Sequence, residues 1–264
     1  MTNAGPRVVC ISQARMTSSR LPGKVMLPVR GQPLLAWHLG RLRQARLLDV
    51  VAVATVDKPE STPILELCHA LGVPVTLGPE DNVLARYHLC AAEHRAEVVV
   101  RVTSDCPLID PALVDRAIER FLADGVDYLA LDTTVFPRGL DVEVFSRAGL
   151  DEAFAQATTQ PEREHVTPYF YHRPERFRLA RLGGGRGSQF RLCVDQNEDL
   201  ELVRRIADEL TTTPGFNWRN CSWETVVTLL ELRPDLACLN VEVQQKSDHL
   251  TSLADTIVSL QIDL

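Results

Sequence analysis

The segment Gln13-Ala14-Arg15-Met16-Thr17-Ser18-Ser19-Arg20-Leu21-Pro22-Gly23-Lys24 gathers three cations, three hydroxyls and one glycine in a short stretch. A polyphosphate asks for that mixture: fixed positive charge, hydrogen-bond donors, and a glycine where the chain must come close. Arg15, Arg20 and Lys24 are the candidate catalytic cations. Ala14, Ser18 and Ser19 complete a candidate nucleotide-binding loop. Two familiar phosphate loops are excluded. Ser18 stands where a P-loop needs its first glycine, and Lys24 is followed by Val25 rather than Ser or Thr; a G-x-G-x-x-G is also missing. The alternative for the segment is a solvated basic loop.

Two aspartates supply the complementary chemistry. Asp105 lies just past the predicted strand Val98–Thr103, and Asp195 just past the predicted strand Phe190–Val194. Magnesium is a hard cation that takes one or two carboxylates and fills its remaining positions with water and phosphate oxygens. Asp105 and Asp195 therefore form a candidate metal pair beside the cationic loop, with Asp105 also counted among the nucleotide-binding residues. Either aspartate, taken singly, equally suits a turn or a helix N-cap. A second carboxylate pair, Asp141 and Glu143, lies in the alternating stretch Leu140–Phe145 and is expected on one strand face, opposite Leu140, Val142 and Val144. With Arg138, Arg163 and His165 it makes up the candidate acceptor-binding set, solvent or a salt bridge to an arginine being the alternative for the carboxylates.

These residues need a scaffold that brings loops together, and the first half of the chain predicts one. Val8–Ser12, Val50–Thr55, Val73–Leu77 and Val98–Thr103 read as buried strands of a parallel sheet. Between and after them, Leu34–Leu48, Thr62–Leu71, Asn82–His94 and Pro111–Ala123 have helical periodicity. This alternation predicts a doubly wound α/β sheet, whose ligands collect beyond the carboxyl ends of the strands near a topological switch point. Farther on, Gly149–Ala157, Arg163–Tyr171, Glu198–Leu210 and Trp223–Leu232 read as helices. Phe177–Leu182 and Phe190–Val194 read as a hairpin joined by the glycine-rich Gly183–Ser188. Residues 1–240 are expected to form the catalytic domain and 241–264 a C-terminal tail.

Composition narrows the partners. The chain has 264 residues, is 45% hydrophobic and 24% charged, and carries a formal net charge of −7. It shows no basic run of the kind that grips long nucleic acid and no apolar stretch of about twenty residues that would span a bilayer. Its seven cysteines form no C-x-x-C pair, which reads as reduced thiols in a cytoplasmic protein.

The stretch Ala14-Arg-x-x-Ser-x-Arg-Leu-Pro-Gly-Lys24 after a first strand resembles the signature of the cytidylyltransferases that make CMP-activated sugars, the CMP-Kdo and CMP-sialic acid synthetases, and within them the SpsF-like branch of spore coat polysaccharide synthesis. Further likeness lies in Arg101-Val-Thr-Ser-Asp-Cys-Pro-Leu-Ile-Asp110, Phe136-Pro-Arg-Gly-Leu-Asp-Val-Glu-Val-Phe145, Glu162-Arg-Glu-His-Val-Thr-Pro168 and Val194-Asp-Gln-Asn-Glu-Asp-Leu200. The resemblance implies a Rossmann-like nucleotidyltransferase fold, CTP and a small acidic-sugar-like acceptor as substrates, Mg2+ on Asp105 and Asp195, pyrophosphate release and a homodimer. It also places Gly78–Tyr87, with Asp81 and Asn82, near the nucleobase, although either residue suits an ordinary helix N-cap. Two positions depart from the pattern: Ser104 replaces the usual glycine before the metal aspartate, and Gln196 the frequent threonine after Asp195. The competing expectations are a glycosyltransferase using a nucleotide sugar, for which Asp141-Val-Glu143 is the nearest approach to D-x-D, and a non-catalytic nucleotide-binding relic.

Overall fold

The computed structural model describes residues 5–212 and 220–243. Its centre is a seven-stranded sheet built from β1 (Val8–Gln13), β4 (Val50–Val56), β5 (Val75–Gly78), β6 (Val98–Thr103), β7 (Tyr128–Leu131), β8 (Glu143–Ser146) and β9 (Leu179–Leu182), in the order β5-β4-β1-β6-β8-β7-β9. All pairings are parallel except those of β8, which runs antiparallel to both its neighbours. Two very short strands, β2 (Pro28–Val29) and β3 (Gln32–Pro33), pair separately. The expectation of a doubly wound, mostly parallel sheet holds.

Strand side chains alternate between two cores. Val8 and Cys10 of β1 point into one, shared with α1 (Leu34–Leu42), α4 (Pro111–Asp124), α8 (Asn197–Thr212) and α9 (Trp223–Leu232). Val9 and Ile11 point into the other, shared with α3 (Val83–Glu93), α5 (Arg147–Gln156) and α7 (Pro168–Tyr171). Burial on both faces explains the continuous apolar runs of the strands. Helix α2 (Thr62–Leu71) follows β4, α6 (Gln160–His165) precedes α7, and α10 (Pro234–Ala237) follows α9.

The chain runs outward from β1 to β4 and β5, then returns to lay β6 on the other side of β1. The carboxyl ends of β1 and β6 are therefore the switch point, and Gln13 and Thr103 sit there in register.

Three expectations are corrected. Helix α1 stops at Leu42 rather than Leu48, because the Asp115 carboxylate accepts the backbone N–H groups of Arg46 and Leu47 at 2.9 and 3.0 Å and turns the chain toward β4. The stretch Arg163–Tyr171 divides into α6 and α7 at Val166, which has a φ of 69°. No hairpin forms over 177–194: β9 pairs parallel with β7, and Arg191 makes only an isolated bridge with Arg138. The glycine-rich loop instead packs on α9, where Arg186 pairs with Glu231 at 2.5 Å and donates to Thr228 at 2.8 Å. The tail expectation lies outside the described residues from 244 onward.

Candidate active site

The loop after β1 is folded on itself before it holds anything else. Met16 carbonyl accepts from Ser18 N at 3.1 Å and Gly23 N at 2.9 Å. Gly23 takes φ 68°, a left-handed conformation that a side chain resists, and the chain then enters a short 3-10 turn, Lys24–Met26. That turn carries Lys24 inward until it is only 8% exposed.

There Lys24 Nζ meets both aspartates, Asp105 Oδ2 at 2.5 Å and Asp195 Oδ1 at 2.7 Å. Arg20 reaches Asp195 Oδ2 at 2.8 Å. Burial alone would lower the Lys24 pKa, but the two carboxylates reverse this and raise it. Asp105 and Asp195 respond in kind: burial pushes each up, and Lys24 holds each below the usual carboxylate range. All three groups are therefore charged at neutral pH. Asp105 arrives on the turn after β6. Asp195 arrives in the segment preceding α8, not at the end of a strand.

Asp195 is held by residues that the sequence alone does not single out. Arg191 donates to its carboxylate and, through Nε, to Asp199 at 3.0 Å. The other Asp199 oxygen accepts the backbone N–H of Asp195 at 2.9 Å and of Gln196 at 3.0 Å. Asn240 donates to Asp199 at 2.8 Å and to the Arg191 carbonyl at 3.0 Å. A fully satisfied buried network of this kind rigidifies what it holds. The spacing Arg191-x-x-x-Asp195-x-x-x-Asp199 is that of one helix face, but Arg191 and Asp195 precede α8, so periodicity does not reveal the network.

An open cleft joins Arg15, Ser18, Ser19, Arg20, Lys24, Asp105, His165 and Asp195. Gln13, Val25, Thr103 and Glu164 also line it, outside the candidate site residues read from the sequence. Ala14 lies buried beneath the loop. Asn82 caps α3, accepting from Ala85 N at 2.9 Å, and Asp81 is exposed beside it. Neither lines this cleft. Their neighbour Glu80 accepts from Thr17 at 2.9 Å, so this loop does touch the cationic loop.

The acceptor set is only partly assembled. His165 faces the cleft. Arg163 is exposed, donating to Ala157 carbonyl at 3.4 Å. Arg138 and Asp141 pair with each other at 3.1 Å, and Asp141 accepts Gly139 N at 2.8 Å. Glu143 is a correction. It is 5% exposed, ion-paired to Arg101 and accepting from Tyr128 Oη at 2.5 Å. Helices α4 and α5 pack on the two faces of β8, and Glu143 sits in direct register with Arg101. Asp141 precedes the strand, so the two carboxylates do not share an outward face.

The donor set fits a divalent cation. Two carboxylates from separate loops converge on a single ammonium, leaving phosphate oxygens and water to complete a magnesium shell. No group of three His, Cys, Asp or Glu side chains forms a ready metal cage among the described residues. Among these residues, also, no helix is long and apolar enough to cross a membrane.

The chain is similar to known proteins along most of its length. The cytidylyltransferase family model matches residues 9–215. The spore coat polysaccharide biosynthesis protein SpsF of Bacillus subtilis is 34% identical over 87% of this chain and 96% of its own length. A cytidylyltransferase structure from Leptospira borgpetersenii superposes with a TM-score of 0.83 at 28% identity, covering 92% of this chain and 99% of that one. A CMP:2-keto-3-deoxy-manno-octonic acid synthetase complexed with CTP has the same fold, with a TM-score of 0.62 at 18% identity over 77% and 99% of the two chains. The cationic loop and both aspartates fall inside the matched span, and the chain belongs to the cytidylyltransferase family of nucleotidyltransferase enzymes.

Proposed function

We propose that the protein transfers a cytidylyl group from CTP to a small, acidic sugar-like acceptor and releases pyrophosphate. The observation that carries this reading is the convergence of Arg15, Arg20, Lys24, Asp105 and Asp195 on one cleft at the switch point. In the reaction an acceptor hydroxyl oxygen bonds to the α-phosphorus and loses its proton. The bond to the bridging oxygen breaks in line, and pyrophosphate leaves with the electron pair. The work left to the protein is positioning and charge neutralisation.

Arg15, Arg20 and Lys24 bind the β- and γ-phosphates and offset the charge that grows on the leaving group. Ser18 and Ser19 offer hydroxyls along the same loop, and Asp81 and Asn82 stand toward the nucleobase. Asp105 and Asp195 would hold a divalent cation, magnesium in this reading, which withdraws charge from the transferring phosphate. His165 and Glu164, which also line the cleft, orient the acceptor. Arg138 is a further candidate for its carboxylate: its buried Nε is without a hydrogen-bond partner, and a guanidinium binds carboxylates through paired donors. A homodimer and a cytoplasmic setting belong to the same reading through the family likeness. The nucleotide-sugar glycosyltransferase alternative loses its motif, since Glu143 of the Asp141-Val-Glu143 stretch is buried against Arg101.

The test is pyrophosphate release with each of four nucleoside triphosphates against acidic, neutral and amino-sugar acceptors. CTP with an acidic acceptor is expected to be turned over, and EDTA to abolish the activity. Equal turnover with ATP, or full activity in EDTA, overturns the reading.

A further inference from the structure

His38 of α1 is 0% exposed and lies beneath the site, and both of its ring nitrogens are engaged. Nδ1 is 2.8 Å from the Cys106 carbonyl. Nε2 is 2.8 Å from Ser12 Oγ, which is in turn 2.7 Å from Ser104 Oγ. A carbonyl only accepts, so Nδ1 carries the proton. Burial holds the His38 pKa down, to about 4, so the ring is neutral at physiological pH. A neutral ring must accept at Nε2, so the Ser12 hydroxyl donates to it. Ser12 oxygen then accepts from Ser104. Every hydrogen bond in the chain has one permitted direction.

Ser104 and Cys106 are the two residues flanking Asp105. One imidazole thus holds the backbone turn on both sides of a carboxylate: through Ser12 on the amino side and directly on the carboxyl side. Ser104 N also donates to the Gln13 carbonyl at 3.0 Å, tying the turn to the start of the cationic loop. The departure at Ser104, where the resembled pattern has glycine, supplies the hydroxyl that closes the relay.

We propose that His38 is a positioning residue for the metal carboxylate Asp105, acting through Ser12 and Ser104 on one side and the Cys106 carbonyl on the other. The inference rests on the reading of Asp105 as a metal ligand. The relay fixes the direction of the Asp105 carboxylate without touching nucleotide or acceptor. Partners outside the ligand shell of this kind commonly carry tenfold to a hundredfold in metal affinity.

The experiment is Mn2+ titration of the whole protein by electron paramagnetic resonance, with CTP present and acceptor omitted, alongside Mg2+ activation of pyrophosphate release. Ser12→Ala and Ser104→Ala cut one arm of the relay with a small change in volume, and His38→Ala cuts both. The serine variants are expected to weaken Mn2+ binding about tenfold and to raise the Mg2+ needed for half-activation in parallel, with the KM for CTP at saturating Mg2+ unchanged. His38→Ala is expected to exceed either if it folds. A fall in melting temperature with Mn2+ affinity unmoved in both serine variants makes the relay purely structural and overturns the proposal. Asp105→Asn separates the layers. If it abolishes Mn2+ binding while the serine variants do not weaken it, the metal assignment stands and the positioning role fails. If it leaves Mn2+ binding intact, the metal assignment fails and takes the positioning role with it.

Discussion

Lys24 does two jobs at the scale of a single side chain. It is the most deeply buried cation of the loop, and it neutralises two carboxylates that would otherwise face each other. A loop cation is ordinarily solvated, and its removal then leaves the fold untouched. The structure changes that expectation, because removing one partner of a buried ion pair leaves uncompensated charge and costs several kcal/mol. Lys24→Met, which keeps the apolar stem, should lower kcat/KM by about 10²-fold or more, the usual effect of losing a transition-state electrostatic contact. The same variant should have a lower melting temperature in EDTA and regain more of it on adding Mg2+ than the unsubstituted protein does, since a cation that binds only the folded state stabilises it. Wild-type turnover, or an equal Mg2+ response in the two proteins, would show that Lys24 does not balance the aspartates. Glu143 shows the opposite limit of residue-level reading. Its alternation with Val142 and Val144 was visible, but nothing local reveals that β8 lies between two other strands, where an outward carboxylate becomes a buried partner for Arg101.

Elements were legible where periodicity was strong and sustained. The four parallel strands and the helices between them could be read because burial on both faces writes continuous apolar runs. Strand β7 was missed: Tyr128–Leu131 has only four residues, and all are buried, so it has no alternation to show. The Asp195 segment reads as a strand because Phe190–Val194 is apolar enough, yet its backbone makes only one isolated bridge with Arg138 and a bond from Val194 N to the Asp105 carbonyl rather than a ladder. The relay on α1 was equally silent, since a histidine inside an amphipathic helix carries no signal of what it meets across the sheet. That relay has a consequence for stability. His38 is pushed by burial from 6.5 to about 4, opposed by the Cys106 carbonyl and Asp105 and assisted by Arg41. A folded pKa below the unfolded one means that the unfolded chain binds the proton first. The stabilising contribution is complete above pH 6.5 and is lost as pH falls toward 4, amounting to about 3 kcal/mol. Urea unfolding at pH 7 and at pH 4.5 should show a smaller acid-induced loss in His38→Asn than in the unsubstituted protein. Identical losses would mean that His38 is not the titrating group.

At the scale of the whole molecule, the site depends on parts of the chain far apart in sequence being locked to one frame. The cationic loop follows β1, Asp105 follows β6, and Asp195 precedes α8, so the cleft exists only if the sheet and the helices on the α1 face keep their relative positions. Arg41 is a principal tie. It is 1% exposed, and it donates through Nε to the Ile109 carbonyl at 2.6 Å and through Nη2 to the Cys221 carbonyl at 2.7 Å. Asp110 completes the junction: one oxygen accepts Ala112 N at 2.8 Å to cap α4, and the other accepts Trp223 N at 2.8 Å at the start of α9. Trp223 packs edge-on against Phe136 at 5.1 Å between ring centres. One guanidinium and one carboxylate thus join α1, α4 and α9 where apolar packing alone would allow sliding. Arg41→Ala leaves two buried carbonyls without these donors, each worth about 1–3 kcal/mol when orphaned, and removes a packed stem besides. The variant should lose about 3 kcal/mol or more in urea unfolding. Its KM for CTP, measured at a temperature where it stays folded, should remain close to that of the unsubstituted protein, because Arg41 lies outside the cleft. A loss below about 0.5 kcal/mol, the level of an ordinary surface substitution, would show that packing holds the three helices without it; a raised KM with stability intact would place Arg41 in the service of the site rather than of the frame.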